Sequence, residues 1–140
     1  MKQGKIARVI VGRLETGDDI LEGLTELVIR QKISTGSISA LGAVDRATVG
    51  YFVGNGSYTK ISLEGPLEVL SCVGNVSWRE GSPYVHAHIT LSDKEGRAYG
   101  GHLMPGCKVG ATFEYTLHAY DDIKLQRKFD AKTKLFLMDV

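Results

Sequence analysis

From Gly36 onward the chain breaks into seven short runs of β-prone residues, SISALGAV, RATVGYFV, YTKISL, LEVLSCVGNVSW, YVHAHITL, RAYGGHL and GATFEYTLHAY, separated by Gly, Asn, Pro or Asp. Strands this short, joined by tight turns, favour antiparallel pairing, because parallel neighbours need crossovers of about a dozen residues or more. Before them, Lys5–Leu14 (KIARVIVGRL) alternates and is rich in β-branched residues, which predicts one further strand ending at the polar cluster Glu15–Asp19. Ile20, Leu21, Leu24, Leu27 and Val28 then recur at helical spacing, so an amphipathic helix of about three turns follows, with Thr16 or Asp18 placed to cap it. It is the one segment able to serve as a crossover. The closing LQRKFDAKTKLFLMDV reads as a last strand pair around a charged turn. The expected fold class is α+β: a mostly antiparallel β-sheet with one main amphipathic helix. Glycines inside strand patterns, Gly50, Gly74, Gly100 and Gly101, predict bulges or close backbone approach.

A length of 140 residues suits one domain spanning 1–140, and a chain of that size buries roughly two-thirds of its unfolded surface. Apolar stretches are broken every few residues by Gly, Ser or charge, far short of the roughly 20 residues that span a bilayer. No membrane segment is expected. The first residues, Met1 to Arg8, carry no apolar signal region, which predicts a cytoplasmic location. A net charge of +1 argues against a protein living by counterion release from nucleic acid. Cys72 and Cys107 form no CxxC, and both read as reduced structural thiols.

The concentrated chemical feature is histidine. His86 and His88 are two apart in PYVHAHITL, which puts both rings on one face of a strand. The connection SDKEGR places Gly96 where a three-residue loop, Lys94-Glu95-Gly96, needs a left-handed residue. That loop pairs Asp93 with Arg97 and sets His88 directly opposite His102, with His86 diagonal on the same face. A two- or four-residue loop would turn His102 to the other face, and a bulge at Gly100 and Gly101 would re-aim it. Three neutral imidazoles suit Zn²⁺ first, with other divalent transition metals as alternatives, and leave a fourth position open to water or a small ligand. A polar pocket without metal is the competing reading. Metal-dependent hydrolase or lyase chemistry would need a general base, and Glu68, Glu80 and Glu114 qualify only by chemistry, so a binding role is favoured over an enzyme. His118 reads as structural.

Taken in order, RLETGDDI (Arg13 to Ile20), ISALGAV (Ile38 to Val44), GPLEVL (Gly65 to Leu70), HAHITLSDKEGRAYGGHL and the strand after it resemble the plants and prokaryotes conserved (PPC) domain family, in a stand-alone prokaryotic form. The resemblance covers nearly the whole chain. It implies an antiparallel α+β subunit assembling as a homotrimer, and a metal site at the positions of His86, His88 and His102. In plants the domain follows an AT-hook in transcription complexes, and prokaryotic relatives carry a DNA-binding label by that association. No Arg-Gly-Arg-Pro occurs in the 140 residues, so a DNA-associated role is the alternative and not the leading reading. The plant interaction hexapeptide Gly-Arg-Phe-Glu-Ile-Leu has Pro66 and Leu67 here in place of Arg and Phe, while Glu68 matches.

Several further residues carry two readings. Leu67 to Val73 reads first as a buried central strand. Arg13 and Glu15 are a solvated pair, or on the resemblance a site or interface pair. Asn75, Trp78 and Tyr84 flank the hairpin, where Trp78 either covers the histidine face, fills a subunit contact or packs in the core. The GNG at Gly54 to Gly56 and the GGHL at Gly100 to Leu103 are not phosphate loops, since neither precedes a helix or carries Lys-Ser/Thr.

Overall fold

In the computed structural model, which describes residues 1–140, the order is β1 (Lys5–Leu14), α1 (Ile20–Arg30), β2 (Gly36–Gly54), β3 (Ser57–Arg79), β4 (Ser82–Ser92), β5 (Ala98–Leu103), β6 (Lys108–Asp121), β7 (Gln126–Asp130) and β8 (Leu135–Asp139). The seven runs after the helix have become five strands. SISALGAV and RATVGYFV are continuous in β2, and YTKISL and LEVLSCVGNVSW are continuous in β3. The interruptions at Asp45 and at Gly65-Pro66 face each other across the ladder, between the pairs Val44↔Leu67 and Arg46↔Glu64, so both strands bend at one level without reversing. The reversal between β2 and β3 falls instead at Asn55-Gly56, both at positive φ, as a tight hairpin requires. The GNG segment is therefore a turn.

The strand order is β1-β6-β2-β5-β4-β3-β7-β8, and β2 also pairs with β3. That extra pairing closes β2, β5, β4 and β3 into a ring, so the sheet is a barrel with β6 and β1 continuing from one side and β7 and β8 from the other. Both β1 and β2 lie antiparallel to β6, hence parallel to one another, with α1 as the crossover between them. One pairing departs from the expected antiparallel rule: β7 meets β3 in parallel at Trp78↔Gln126, because Leu125 accepts from the Trp78 amide at 2.7 Å and turns the chain along β3.

The helix buries Ile20, Leu24, Leu27 and Val28 over a core that includes Val44, Val69, Cys72, Val76, Ile89, Leu91, Phe113 and Leu117. Removing each such side chain from water contributes roughly 1.5–3 kcal/mol. Its cap is Asp19 and not Thr16 or Asp18: Asp19 Oδ1 accepts from the Leu21 and Glu22 amides at 3.2 and 3.3 Å. The reason is tertiary, since Asp19 Oδ2 also accepts from the Gly106 amide at 2.7 Å. Leu67 to Val73 is likewise half-buried, not fully buried; Leu67, Val69 and Cys72 face the core while Leu70 and Val73 are 55% and 57% exposed. Burial raises the Cys72 thiol to about 12, and burial also raises Cys107. Both cysteines are free and buried. No helix is long and apolar enough to cross a membrane.

Candidate metal centre

The β4–β5 hairpin closes as its loop chemistry requires. The Asp93 amide donates to Arg97 O at 3.2 Å, the Gly96 amide to Asp93 O at 2.9 Å, and Gly96 has φ +77°. Asp93 locks the loop: Oδ1 accepts from the Glu95 and Arg97 amides at 2.9 and 3.0 Å, and Oδ2 from Arg97 Nε and Tyr99 OH, both at 2.8 Å. Burial alone would raise the Asp93 carboxyl, but these donors outweigh it and hold the group at about 2.

From that loop the ladder runs unbroken from Ser92↔Ala98 to His88↔His102. No bulge enters at Gly100 or Gly101; close backbone approach explains both, since a Cβ would lie 2.5 Å from Ile89 O at Gly100 and 2.8 Å from Gly50 O at Gly101. Gly74 is tight against His86 O in the same way, at 2.6 Å. His86, His88 and His102 thus share one face, with one ligand nitrogen from each lying within 4.8 Å of the others. Ring centroids are 5.4 Å apart for His86–His88, 5.0 Å for His86–His102 and 5.5 Å for His88–His102.

This donor set fits a divalent transition metal. Zinc–nitrogen bonds of roughly 2.0–2.1 Å put tetrahedral nitrogens roughly 3.3 Å apart, a contraction that side-chain rotation supplies. Burial drives the His86 imidazole down to about 4, helped by the Arg127, His102 and His88 charges. Burial, with His88 and Arg127, also lowers His102. Both rings are therefore neutral at pH 7, each with the single lone pair that a metal would take. His102 Nδ1 is the one buried side-chain polar atom without a hydrogen-bond partner, and buried polar groups are rarely left so.

Sequence reasoning did not find the other half of the site. A cavity of about 280 Å³ opens beside the histidines, lined by Tyr58, Arg79, Tyr84, His86, His102, Arg127, Lys134 and Phe136 with their neighbours. Arg127 Nη2 donates to His86 Nδ1 at 3.2 Å and to Asn75 Oδ1 at 3.0 Å. Tyr58 stacks on His102 with centroids 4.9 Å apart. Tyr84 lines the cavity and Asn75 reaches it through Arg127, but Trp78 shares strand parity with the fully buried Val76 and belongs to the opposite face. Glu68, Glu80 and Glu114 do not line the cavity. Arg13 and Glu15 pair at 3.1 Å in a separate acidic cleft with Asp18, Glu22 and Glu26. His118 lies on β6, paired with Val9 and Ser37, away from the triad.

Residues 1–121 match the Plants and Prokaryotes Conserved (PCC) domain. The chain belongs to this family. The metal-containing protein of Archaeoglobus fulgidus is 33% identical, with 100% of this chain and 99% of that one covered and a TM-score of 0.91. The plant- and prokaryote-conserved protein of Pyrococcus horikoshii is 31% identical over 99% of this chain and 95% of that one, again with a TM-score of 0.91. A candidate DNA-binding protein of Ralstonia eutropha JMP134 is 26% identical over 93% and 90% of the two chains, with a TM-score of 0.83. Among curated proteins, the Bifunctional protein GlmU of a Synechococcus species (strain JA-2-3B'a(2-13)) is 32% identical over 122 residues, but this chain spans 18% of its length. The C-terminal β7–β8 hairpin, which brings Arg127, Lys134 and Phe136 to the PCC-domain histidines, lies beyond the matched segment.

Proposed function

We propose that this PCC-domain protein is a metal-binding protein in which His86, His88 and His102 hold one divalent transition ion, zinc first, with water or a small ligand in the fourth position. The observation that carries this reading is three imidazoles on one face with ligand nitrogens within 4.8 Å. The metal-containing relative from Archaeoglobus fulgidus supports it. Bound there, the ion would act as a Lewis acid or lower the pKa of a water. With no carboxylate in the cavity lining, the residues favour ligand binding over general-base catalysis. The DNA-associated alternative draws on the Ralstonia eutropha relative, and a net charge of +1 weighs against it.

We further propose that the protein works as a homotrimer. Val11, Leu41 and Leu70 are 75%, 56% and 55% exposed, and they line one depression across β1, β6, β2 and β3 together with Glu114, Tyr115 and Thr116. Three large apolar side chains this exposed in one depression support an interface there.

The deciding measurement is elemental analysis of chelator-free protein beside a folded His88→Ala variant. About one transition metal per chain in the parent, and loss in the variant, is the expected result. Metal absent from both after incubation with Zn²⁺ overturns the reading.

A further inference from the structure

The cavity beside the histidines is cationic in a way that the metal reading does not use. Arg79, Arg127 and Lys134 line it, and no Asp or Glu does. Arg127 is held by Ser77 Oγ at 2.8 Å, Phe136 O at 2.9 Å, Asn75 Oδ1 and His86 Nδ1. All four are neutral acceptors, so a half-buried guanidinium has no carboxylate to balance it. Fixing such a charge costs desolvation, which an incoming anion offsets through a charge-assisted contact to the Nη1 hydrogen these acceptors leave free. Arg79 does have a carboxylate, Glu80 at 3.0 Å, but that partner's side chain is 64% exposed and outside the lining. The rest of the wall is apolar and aromatic: Tyr58, Tyr84, Leu135, Phe136 and Leu137. The Arg79 guanidinium lies 3.9 Å from the Phe136 centroid and that of Arg127 5.1 Å from the Tyr84 centroid, so both cations are positioned by rings.

We propose that this cavity binds a small organic carboxylate, its charged end on Arg127 and Lys134 and its apolar body against Tyr58, Tyr84 and Phe136. A volume of about 280 Å³ sits at the small end of ligand sites, which suits a molecule of about benzoate size. The inference rests on the metal reading for its placement, because His86 and His102, two of the three proposed ligands, line this cavity. Three of the Arg127 acceptors, Ser77 Oγ, Phe136 O and Asn75 Oδ1, do not depend on the ion; the fourth, His86 Nδ1, is given up when that ring's single lone pair goes to a metal.

The test is calorimetric titration of the full chain, zinc-loaded and chelator-treated, with benzoate, benzamide and inorganic phosphate. Benzoate is expected to bind the zinc-loaded protein at least about tenfold tighter than neutral benzamide, and Arg127→Gln to remove at least about tenfold of its affinity. Because Arg127 also ties β7 to β3, Lys134→Gln at an exposed turn position provides a second variant that leaves the hairpin intact, with a loss of about threefold or more expected. Benzoate binding that depends on Arg127 and Lys134 in protein that takes up no metal sustains this inference while the metal reading falls. Metal uptake with no benzoate binding overturns the inference alone. Equal binding of benzamide, or binding of phosphate in place of benzoate, overturns it as well.

Discussion

Asp93 carries the loop that sets the histidine register, and its four donors make that loop sensitive to acid. The carboxyl is held at about 2 against an ordinary value of 3.8, so folding favours the ionised form. The stability this contributes is present above the ordinary value and is lost as pH falls through about 2. A carboxyl NMR titration should place the Asp93 midpoint near 2, with the β4–β5 turn signals moving in the same step. A midpoint near 3.8 would show that the donors do not hold the group. At this scale the sequence was legible where local chemistry decided the outcome. Gly96 announced the three-residue loop, and the loop fixed His88 opposite His102 by counting alone. Arg127 was invisible for the opposite reason. It stands 41 positions from His86, and nothing local announces a contact made across three strands.

Asp19 shows the same contrast at the scale of an element. Periodicity located α1 and its buried face, yet the cap fell one residue beyond Asp18 because Gly106, 87 positions away, draws the Asp19 carboxylate to itself. One side chain therefore closes the helix and pins the β5–β6 connection, with Lys108 Nζ 3.7 Å away as a third partner. Asp19→Ala should cost about 1 kcal/mol for the cap and about 1–3 kcal/mol more for the stranded Gly106 amide. Chemical denaturation measures this; a loss below about 1 kcal/mol would mean that water replaces both bonds. Strand boundaries misled for a related reason. Asp45 and Gly65-Pro66 each read as a break, but set opposite each other they become a shared bend in one long ladder. A pairing of two breaks is tertiary information.

For the whole molecule, ring closure by β5 returning to pair with β2 at Val49↔Leu103 and Gly50↔His102 was not legible, because a list of strands does not say which one returns to meet its own start. The α+β class and the α1 crossover were legible, since turn spacing and a lone helix leave few alternatives. The proposed subunit association would use the exposed Val11, Leu41 and Leu70 on the barrel's outer surface. Light scattering should give three times the chain mass for the parent and a monomer for Leu70→Lys with its fold retained; a monomeric parent would remove the trimer. The β7–β8 hairpin has a different standing in the architecture. It ends the sheet, and a single ladder pair, Trp78↔Gln126, joins it to the ring. Yet it supplies Arg127, Lys134 and Phe136 to the cavity wall. The histidines sit on strands of the closed ring, whereas the wall facing them belongs to a terminal hairpin held by that one ladder pair and by the Arg127 side-chain contacts to Ser77, Asn75 and His86. Metal ligands and cavity wall are thus carried by separate parts of the sheet, so a change in the last hairpin alters the wall without touching the strands that hold the histidines.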